Sequence, residues 1–285
     1  MNEMINEIYD LYKRNLPYIE RSGETVKNIL GDRENHILIR RNGENLAGVS
    51  VIHANTIYLL CVDKQFQNRG VGSGLLMQSE KYIAEKGFKR IVLGTGKEYI
   101  MPGAPMVEGA YMFFKKRGYV HSWGNAGCFD MEQMLEDFIY DGCSVGDTID
   151  GVTYRWAEIC DLDRVAACVS DAEPKFLRYY RNEKFYQKGT ERPVLIAEKG
   201  REILGAVLLY ISYEENMGSV GATATAHAYR NRGIATNMVR LGTKYLKDIG
   251  LKRACLGYTY TQIVHMYARA GYKISVEYFM GEKEL

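Results

Sequence analysis

The stretch Arg230-Asn-Arg-Gly233-Ile-Ala-Thr236 has a near copy in the same chain, Gln67-Asn-Arg-Gly70-Val-Gly-Ser73. Each copy follows a run of extended character, Thr56–Val62 before the first and Gly218–Thr225 before the second. Each copy also opens a long amphipathic segment with helical spacing of its apolar residues. The sequence therefore predicts the same strand, glycine turn and helix twice.

Both turns have the features of an anion site. The first N–H groups of a helix lack partners within the helix, and the helix dipole places positive charge there. Small residues let a phosphate approach the backbone, and guanidinium or amide groups can bond its oxygens. The small residues are Gly70, Gly72, Gly233 and Ala235, and the basic or amide side chains are Gln67, Arg69, Arg230 and Arg232.

Two common phosphate-binding motifs do not fit. In Gly70-Val-Gly72-Ser-Gly74 the third glycine comes one place too early for a dinucleotide-binding turn, and the second copy lacks that pattern. Gly94-Thr-Gly96-Lys97 lacks the earlier glycine and the following hydroxyl of a P-loop. Nucleotide binding is therefore disfavoured.

The pattern that fits both copies is Q/R-x-x-G-x-G/A, and it resembles the pyrophosphate-binding turn of the GNAT N-acetyltransferase superfamily. A single such turn also fits a glycine-marked helix start with basic residues facing solvent. Two copies in the same register, each between a strand and a helix, favour the binding site. The resemblance implies acetyl-CoA (coenzyme A) as cosubstrate.

Composition limits the class of protein. The chain has 285 residues, 46% hydrophobic and 25% charged, which suits two globular domains of ordinary size. A net charge of +2 gives no reason to expect nucleic acid or a membrane as partner. The N-terminal segment has no uninterrupted apolar run, so we expect a cytoplasmic protein. The six cysteines have no metal-binding spacing, and no metal is expected.

The order of predicted elements indicates a mixed α/β fold. Asn42-Gly43 is a strong hairpin signal, and Lys199-Gly-Arg201 marks the corresponding hairpin in the second half. We further predict short helices over Asp130–Ile139 and Lys175–Phe185. The resemblance implies two GNAT-like domains, each a mixed, mostly antiparallel sheet flanked by helices. We place them at 1–140 and 152–285, joined by a connector at 141–151.

The corresponding glycines Gly70 and Gly233 are 163 residues apart, whereas Gly118 and Gly271 are 153 apart. The first half therefore carries about ten extra residues between its long helix and its last helix. They fall within Thr95–Met106, where glycine and proline indicate a loop. A lid over a site and a purely structural excursion both fit.

The resemblance also implies which residues hold the cofactor. In GNAT domains the strand before the turn leaves its neighbour at a bulge, where the pantetheine arm lies. The corresponding strand residues are Leu60, Cys61 and Val62 in the first half and Thr223, Ala224 and Thr225 in the second. The turn residues are Gln67, Asn68, Arg69, Gly70, Val71, Gly72 and Ser73, and Arg230, Asn231, Arg232, Gly233, Ile234, Ala235 and Thr236.

The two halves differ at the position where GNAT enzymes commonly place a general acid. By resemblance this residue is Tyr267 in the second half and Phe114 in the first. A phenol can protonate a departing thiolate, whereas a phenyl ring cannot. Tyr267 also fits a helix tyrosine packed against the sheet. The difference favours catalysis in the second half.

No general base is evident, because neither strand before a turn contains a carboxylate. Glu214 and Glu215 could act through water, and His227 and His265 are candidates because imidazole is the side chain that ordinarily changes charge near neutral pH. Each histidine also fits a surface or packing role. An amine of modest pKa could instead lose its proton to solvent.

Two functions from different classes follow. The first is an acetyl-CoA-dependent N-acetyltransferase that acts on a small-molecule or peptide amine by direct attack. The second is a non-catalytic acetyl-CoA or acyl-CoA-binding protein with a regulatory or scaffold role. Phe114 and the missing base favour the second function, and Tyr267 favours the first.

Overall fold

The computed structural model describes residues 2–96 and 98–285. Met1 lies outside the described residues, and so does Lys97 of the rejected P-loop match. The chain forms two compact units. The first contains the residues up to Phe129 together with Ser275–Leu285, and the second contains Asp130–Ile274. The predicted domain limits, with a connector at 141–151, remain a proposal.

The first unit begins with two helices and then builds a sheet around one long helix. Its elements in chain order are α1 (Asn2–Asn15), α2 (Gly23–Leu30), β1 (His36–Asn42), β2 (Asn45–His53), β3 (Thr56–Val62), α3 (Val71–Glu85), β4 (Arg90–Leu93), β5 (Ala104–Pro105), α4 (Ala110–Lys115) and β6 (Val120–His121). The predicted hairpin is present, because Asn42 pairs with Asn45 across Gly43.

Strand β7 (Cys128–Met134) leads from the first unit into the second. The second unit then contains β8 (Thr148–Ile149), β9 (Val152–Trp156), α5 (Leu162–Ala172), α6 (Leu177–Tyr180), β10 (Val194–Lys199), β11 (Glu202–Ser212), β12 (Met217–Thr225), α7 (Ile234–Asp248), β13 (Arg253–Tyr260) and α8 (Val264–Arg269). Strand β14 (Lys273–Phe279) leads back into the first unit, where β15 (Gly281–Glu284) ends the chain.

The sheet of the first unit has the order β1-β2-β3-β4-β15-β6. Strand β15 therefore fills an interior place, pairing antiparallel with β4 on one side and β6 on the other. Lys283 of this strand also contacts Glu80 of α3 at 3.0 Å. The buried core includes Ile52, Leu76, Ile91 and Phe114. The last residues of the chain thus complete the first sheet.

The second unit repeats this plan, with the strand order β7-β13-β12-β11-β10-β9-β8. Only the β12–β13 pair is parallel among the strand pairs described in this unit, and β3–β4 is its counterpart in the first. Helix α7 buries Ile234, Met238 and Val239. This confirms the predicted fold class, a mixed α/β chain with mostly antiparallel sheets flanked by helices.

Two predicted helices are wrong. Strand β7 covers Asp130 and continues to Met134, where the sequence pattern suggested a helix. Asp130 is buried and its carboxylate accepts a hydrogen bond from the Tyr258 N–H of β13, so pairing within the sheet overrides the local helical spacing. The predicted helix Lys175–Phe185 is reduced to α6, between two short 3₁₀ turns.

The extra segment of the first half, Thr95–Met106, packs against its own unit over the residues that are described. Ile100 and Met101 are buried. Strand β5 pairs with Tyr278 and Phe279, and the Tyr58 hydroxyl accepts a hydrogen bond from the Glu98 N–H. These contacts favour the structural excursion over the lid.

Among the described residues, no helix combines the length and the apolar composition that crossing a bilayer requires.

A buried ion-pair network fixes the start of α5 in the second unit. The Asp161 side chain is fully buried and accepts hydrogen bonds from Arg155, at 2.7 and 3.0 Å, and from Arg164. Arg155 also bridges to Glu198 of β10 at 2.6 Å. Burial raises the pKa of Asp161, but the hydrogen bonds from Arg155 and the Glu158 N–H outweigh burial and lower it to about 2.

Replacing Asp161 with Asn is expected to lower the free energy of unfolding by about 3–5 kcal/mol near neutral pH, because the arginines lose a buried partner. The folded pKa lies below the unfolded value of about 3.9, so the stabilisation is present above that value and is lost as the pH falls towards about 2. Urea unfolding across this range checks both statements. The control Asp163→Asn, an exposed residue of the same helix, is expected to cost less than about 1 kcal/mol. Equal losses in both variants would contradict the network's role.

Candidate active site

A gap opens in the sheet of the second unit beside the predicted strand residues. Strands β12 and β13 pair in parallel only at Met217–Ser219 with Arg253–Cys255, although both strands continue further. The backbone of β12 beyond Ser219 therefore faces an opening on that side. Thr223 and Thr225 lie along this segment and are half-buried.

A bulge in β12 lies in the same segment. Ala206 of β11 pairs with Ala224, but Leu208 pairs with Gly221, so β12 carries an extra residue between these pairs. Ala222 adopts a left-handed conformation with φ of 47°. Its carbonyl accepts a hydrogen bond of 2.7 Å from the buried Tyr180 hydroxyl. The backbone is thus distorted immediately before Thr223.

Tyr267 of α8 reaches this segment. Its side chain is buried, and its hydroxyl lies 3.2 Å from Thr223 Oγ1. Burial raises the pKa of Tyr267 above its usual value, while the hydrogen bond with Thr223 acts in the opposite direction. A phenol held in this way stays protonated at neutral pH. The structure therefore brings together Tyr267 and Thr223, two residues that the sequence placed on separate elements.

The glycine turn of the second unit has the open geometry of an anion site. Gly233 precedes the first residue of α7 with φ of 78°, and a side chain built on it would meet nothing within 4 Å. Asn231 is also left-handed. The residues Arg230, Asn231, Arg232 and Gly233 are exposed, Ile234 is buried, and Ala235 and Thr236 are half-buried. A phosphate group could therefore reach the first turn of the helix without displacing protein atoms.

The two arginines of this turn have different environments. Arg230 donates hydrogen bonds to the carbonyls of Thr225 at 3.3 Å and Ala172 at 2.8 Å, so it holds the turn in place. Arg232 lies over the Tyr229 ring at 5.4 Å. Thr225 Oγ1 is a buried oxygen with no hydrogen-bond partner within the described chain. An unpaired buried oxygen next to an open helix N-terminus fits a site that receives a polar ligand.

The first unit has the same turn. Gly70 has φ of 83° with nothing within 4 Å of an added side chain, Asn68 is left-handed, and Gln67 donates to the Val62 carbonyl at 3.1 Å. The residues Gln67, Asn68, Arg69 and Gly70 are exposed, and Val71, Gly72 and Ser73 are half-buried.

Two residues near the end of α4, Arg117 and Phe113, lie against this turn and were not among the predicted site residues. Arg117 Nη2 donates to Ser73 Oγ at 2.8 Å, and its guanidinium stacks on the Phe113 ring at 3.8 Å. The Phe113 ring would be 3.5 Å from a side-chain carbon added at Gly72. Counting back from the glycine after each last helix aligns Arg117 with Ala270 and Phe113 with Met266. The first unit therefore has an arginine and an aromatic ring at positions where the second has neither.

The strand residues of the first unit lack the polar pair. Leu60 and Phe114, which correspond to Thr223 and Tyr267, pack together in one apolar cluster. Leu59 and Leu60 pair in regular register with Val51 and Ser50, and the register shift of β3 lies earlier in the strand, at Tyr58. Cys61 is buried, and burial raises the pKa of its thiol to about 12. The described parallel pairing of β3 with β4 ends at Ile57, so the placement of a pantetheine arm beside Leu60–Val62 stays a prediction.

The candidate bases differ in burial. His227 is exposed and pairs with Asp171, whose carboxylate lies 3.4 Å from its Nδ1. His265 and Glu214 are exposed, and Glu215, two residues before β12, is half-buried. A general base thus stays unassigned.

One group of metal-ligand types lies elsewhere, in the first unit. Ligand atoms of Asp32, Glu34 and His53 lie within 4.8 Å of one another. His53 Nδ1 is 3.2 Å from Asn35 Oδ1, its Nε2 is 3.8 Å from Glu34, and the Asp32 carboxylate accepts from the Glu34 N–H. Contacts within the protein account for this group.

Comparison with known proteins agrees with the geometry. The sequence profile of the Acetyltransferase (GNAT) family matches residues 5–99 and 156–272, which is more than half of the chain. The chain belongs to this family. No functionally curated protein matches it in sequence.

Solved structures share the fold over nearly the whole chain. A tandem GNAT protein from the clavulanic acid biosynthesis pathway has a TM-score of 0.71 at 15% identity, covering 99% of this chain and 95% of that one. A GCN5-related N-acetyltransferase from Sphaerobacter thermophilus has a TM-score of 0.70 at 14% identity, and the match covers 100% of this chain and 93% of that one. A glucosamine N-acetyltransferase region of a fungal multi-domain GH3 β-N-acetylglucosaminidase has a TM-score of 0.75 at 18% identity. That match covers 98% of this chain but only 36% of the longer protein.

The protein is thus a tandem GNAT-type acetyltransferase, and its family uses acetyl-CoA as cosubstrate. The fold supports acyl transfer to an amine. The open turns at Gly70 and Gly233 fit the pyrophosphate of coenzyme A, and so does the unpaired Thr225 oxygen in the second unit.

Gly233→Glu is expected to abolish acetyl-CoA binding to the second unit, because a carboxylate would occupy the place of the pyrophosphate at the helix N-terminus. Isothermal titration measures the affinity and the number of sites. Gly250→Glu is the matched control, since Gly250 at the other end of α7 is also left-handed and open. It introduces the same charge and a similar backbone strain, and binding should persist.

Gly70→Glu, with Gly87→Glu as its control, reports whether the first turn also binds. Unchanged affinity and stoichiometry in Gly233→Glu would contradict the assignment of the second turn.

Proposed function

We propose that the protein is an acetyl-CoA-dependent N-acetyltransferase whose second unit transfers the acetyl group to an amine by direct attack. The observation that carries this proposal is the Thr223–Tyr267 hydroxyl pair beside the bulge of β12. In the first unit the same positions are Leu60 and Phe114. Both members of the pair are polar in one unit and apolar in the other, so the chemistry is assigned to the second.

Each part of the proposed site has a separate task. The turn at Gly233 would bind the pyrophosphate through backbone N–H groups and the positive end of the α7 dipole. The backbone of Thr223–Thr225, which has no parallel partner, would bind the pantetheine arm and the thioester. Arg230 would hold the turn in place through its hydrogen bonds to the carbonyls of Thr225 and Ala172.

Tyr267 would supply the proton for the leaving group. The amine nitrogen forms a bond to the acetyl carbon as the carbon–sulfur bond breaks, and the electron pair of that bond stays on sulfur. The Tyr267 hydroxyl then gives its proton to the thiolate and regains one from solvent. Thr223 Oγ1, donating to the phenol oxygen, would stabilise the transient phenolate. The ammonium proton of the product leaves to water.

The first unit is proposed to bind acetyl-CoA or another acyl-CoA without transferring the acyl group. Its turn at Gly70 is open, and Arg117 adds a positive charge beside Ser73. Its apolar Leu60 and Phe114 side chains offer no proton. The non-catalytic function from the second class thus becomes a proposal for this unit alone.

The acceptor is proposed to be a small-molecule or peptide amine. Because one structural neighbour contains a glucosamine N-acetyltransferase region, amino sugars belong in the first panel of acceptors, beside polyamines and peptide N-termini. A cytoplasmic location also remains a proposal.

Tyr267→Phe keeps the ring and removes the proton, so kcat is expected to fall by about 10²–10⁴-fold. The affinity for acetyl-CoA should change little, since the phenol acts as charge develops on sulfur. Steady-state release of the coenzyme A thiol, with the amine that gives the highest rate, measures both values.

Tyr272→Phe is the matched control for this change. Tyr272 is also a buried tyrosine of the second unit, and its hydroxyl lies 2.8 Å from Thr243 Oγ1. The change to Phe removes the Tyr272–Thr243 hydroxyl pair and leaves the Tyr267–Thr223 pair in place, so kcat should stay near that of the unmodified protein. Full kcat in Tyr267→Phe would overturn the assignment of the acid.

A further inference from the structure

Tyr180 is a buried tyrosine whose hydroxyl is tied to the distorted strand. It ends α6 and is fully buried. Its hydroxyl donates to the Ala222 carbonyl at 2.7 Å. Its own carbonyl accepts a hydrogen bond of 2.8 Å from the Tyr186 hydroxyl. Tyr180 is therefore held through both its hydroxyl and its backbone carbonyl, which fixes its position relative to β12.

The hydroxyl lies where the ladder between β11 and β12 is interrupted. The register of this ladder shifts between Ala206 and Leu208 of β11. Burial raises the pKa of Tyr180, so its hydroxyl stays protonated and can donate. The Tyr180 hydroxyl thus satisfies a carbonyl of β12 at the point where the ladder is interrupted.

Ala222 needs such support because it is left-handed. At a φ of 47° a residue with a side-chain carbon is strained, and only glycine adopts this region freely. Strain of this kind persists where the surroundings hold the residue in place. The Tyr180 hydrogen bond to the Ala222 carbonyl provides one such restraint.

The next residue along the strand is Thr223, whose hydroxyl contacts Tyr267 at 3.2 Å. The orientation of Thr223 depends on the peptide that joins it to Ala222. A contact on the Ala222 carbonyl therefore controls the direction in which Thr223 points.

We propose that Tyr180 is a positioning residue for acetyl transfer, whose hydroxyl holds the Ala222 bulge and so directs Thr223 onto Tyr267. This inference rests on the proposed function for its catalytic meaning. Tyr180 itself gives no proton in the proposed step.

The first unit lacks this arrangement, which is independent support. Within its described strands β2 and β3, Leu59 and Leu60 are in regular register and neither is left-handed. It does contain a comparable tyrosine, because the buried Tyr12 hydroxyl donates to the Ile19 carbonyl at 3.2 Å. That carbonyl lies in the segment between α1 and α2, outside the sheet. Tyr12→Phe thus makes the same chemical change without touching a bulge.

The first experiment needs neither acceptor nor turnover. The protein is labelled with tyrosine carrying ¹³C at the ring carbon bonded to oxygen, and Tyr267→Phe identifies the Tyr267 resonance. Tyr180→Phe keeps the aromatic ring, so ring-current effects on neighbours are preserved. It is expected to shift the Tyr267 resonance and to raise its pKa further, because the Thr223 contact that lowers this pKa is loosened. Tyr12→Phe should leave the resonance in place.

The second experiment is a rescue. Ala222→Gly lets the bulge form without strain, so Tyr180→Phe/Ala222→Gly should return the Tyr267 resonance towards its original position although the Tyr180 hydroxyl is still absent. In thiol-release assays kcat of Tyr180→Phe should fall by about 10²-fold, as expected for a misplacement of about 1 Å. The double variant should recover most of this loss, with acetyl-CoA affinity little changed in both.

The outcomes separate the two proposals. If Tyr180→Phe folds and leaves both the Tyr267 resonance and kcat unchanged, the positioning role is overturned. If both change and Ala222→Gly restores neither, Tyr180 acts by general packing, which also overturns it. If Tyr267→Phe keeps full kcat while the resonance responds as expected, the proposed acid fails and the structural link from Tyr180 to Tyr267 stands. Thermal unfolding of each variant and of Ala222→Gly alone verifies the fold.

Discussion

The site of the second unit depends on a short parallel pairing. Strand β12 pairs with β13 at Met217–Ser219 and then continues towards the glycine turn with β11 as its one described partner strand. Backbone groups that would otherwise be used in a ladder become free to meet a ligand, beside a helix whose first N–H groups are also free. The bulge at Ala222 occurs in this free segment, where Tyr180 supports it. The opening towards β13 and the bulge in the β11–β12 ladder thus lie in the same segment of β12, beside the Thr223–Tyr267 hydroxyl pair.

Comparison of the two units shows which features of this arrangement occur in both and which occur in one. Both keep the left-handed glycine before the long helix, so both keep the open turn that we propose as an anion site. Only the second places a hydroxyl pair beside a left-handed bulge. In the first unit Leu60 and Phe114 contribute to the core instead, and burial of this apolar contact is favourable. Under the proposed function, the turn is therefore duplicated and the chemistry is not.

Local signals predicted the turns, the Asn42-Gly43 hairpin and the long helices, because glycine placement and helical spacing are set by neighbouring residues. The resemblance pointed to Tyr267 through its position before Gly271, and its catalytic role stays a prediction. It could not identify β15 as an interior strand, or β7 as a strand to Met134, because both depend on pairing with distant residues. Tyr180 was missed for the same reason, since its partner Ala222 is 42 residues away.

We propose that the thioester lies beside Tyr267 in the second unit. A crystal structure of the complex with acetyl-CoA gives the distance from the Tyr267 hydroxyl to the thioester sulfur. We expect a separation of about 3–3.5 Å, the range expected of groups placed to react, with the pyrophosphate on the turn at Gly233. Acetyl-CoA bound only in the first unit, with its sulfur beside Phe114, would show that the chemistry is not in the second unit.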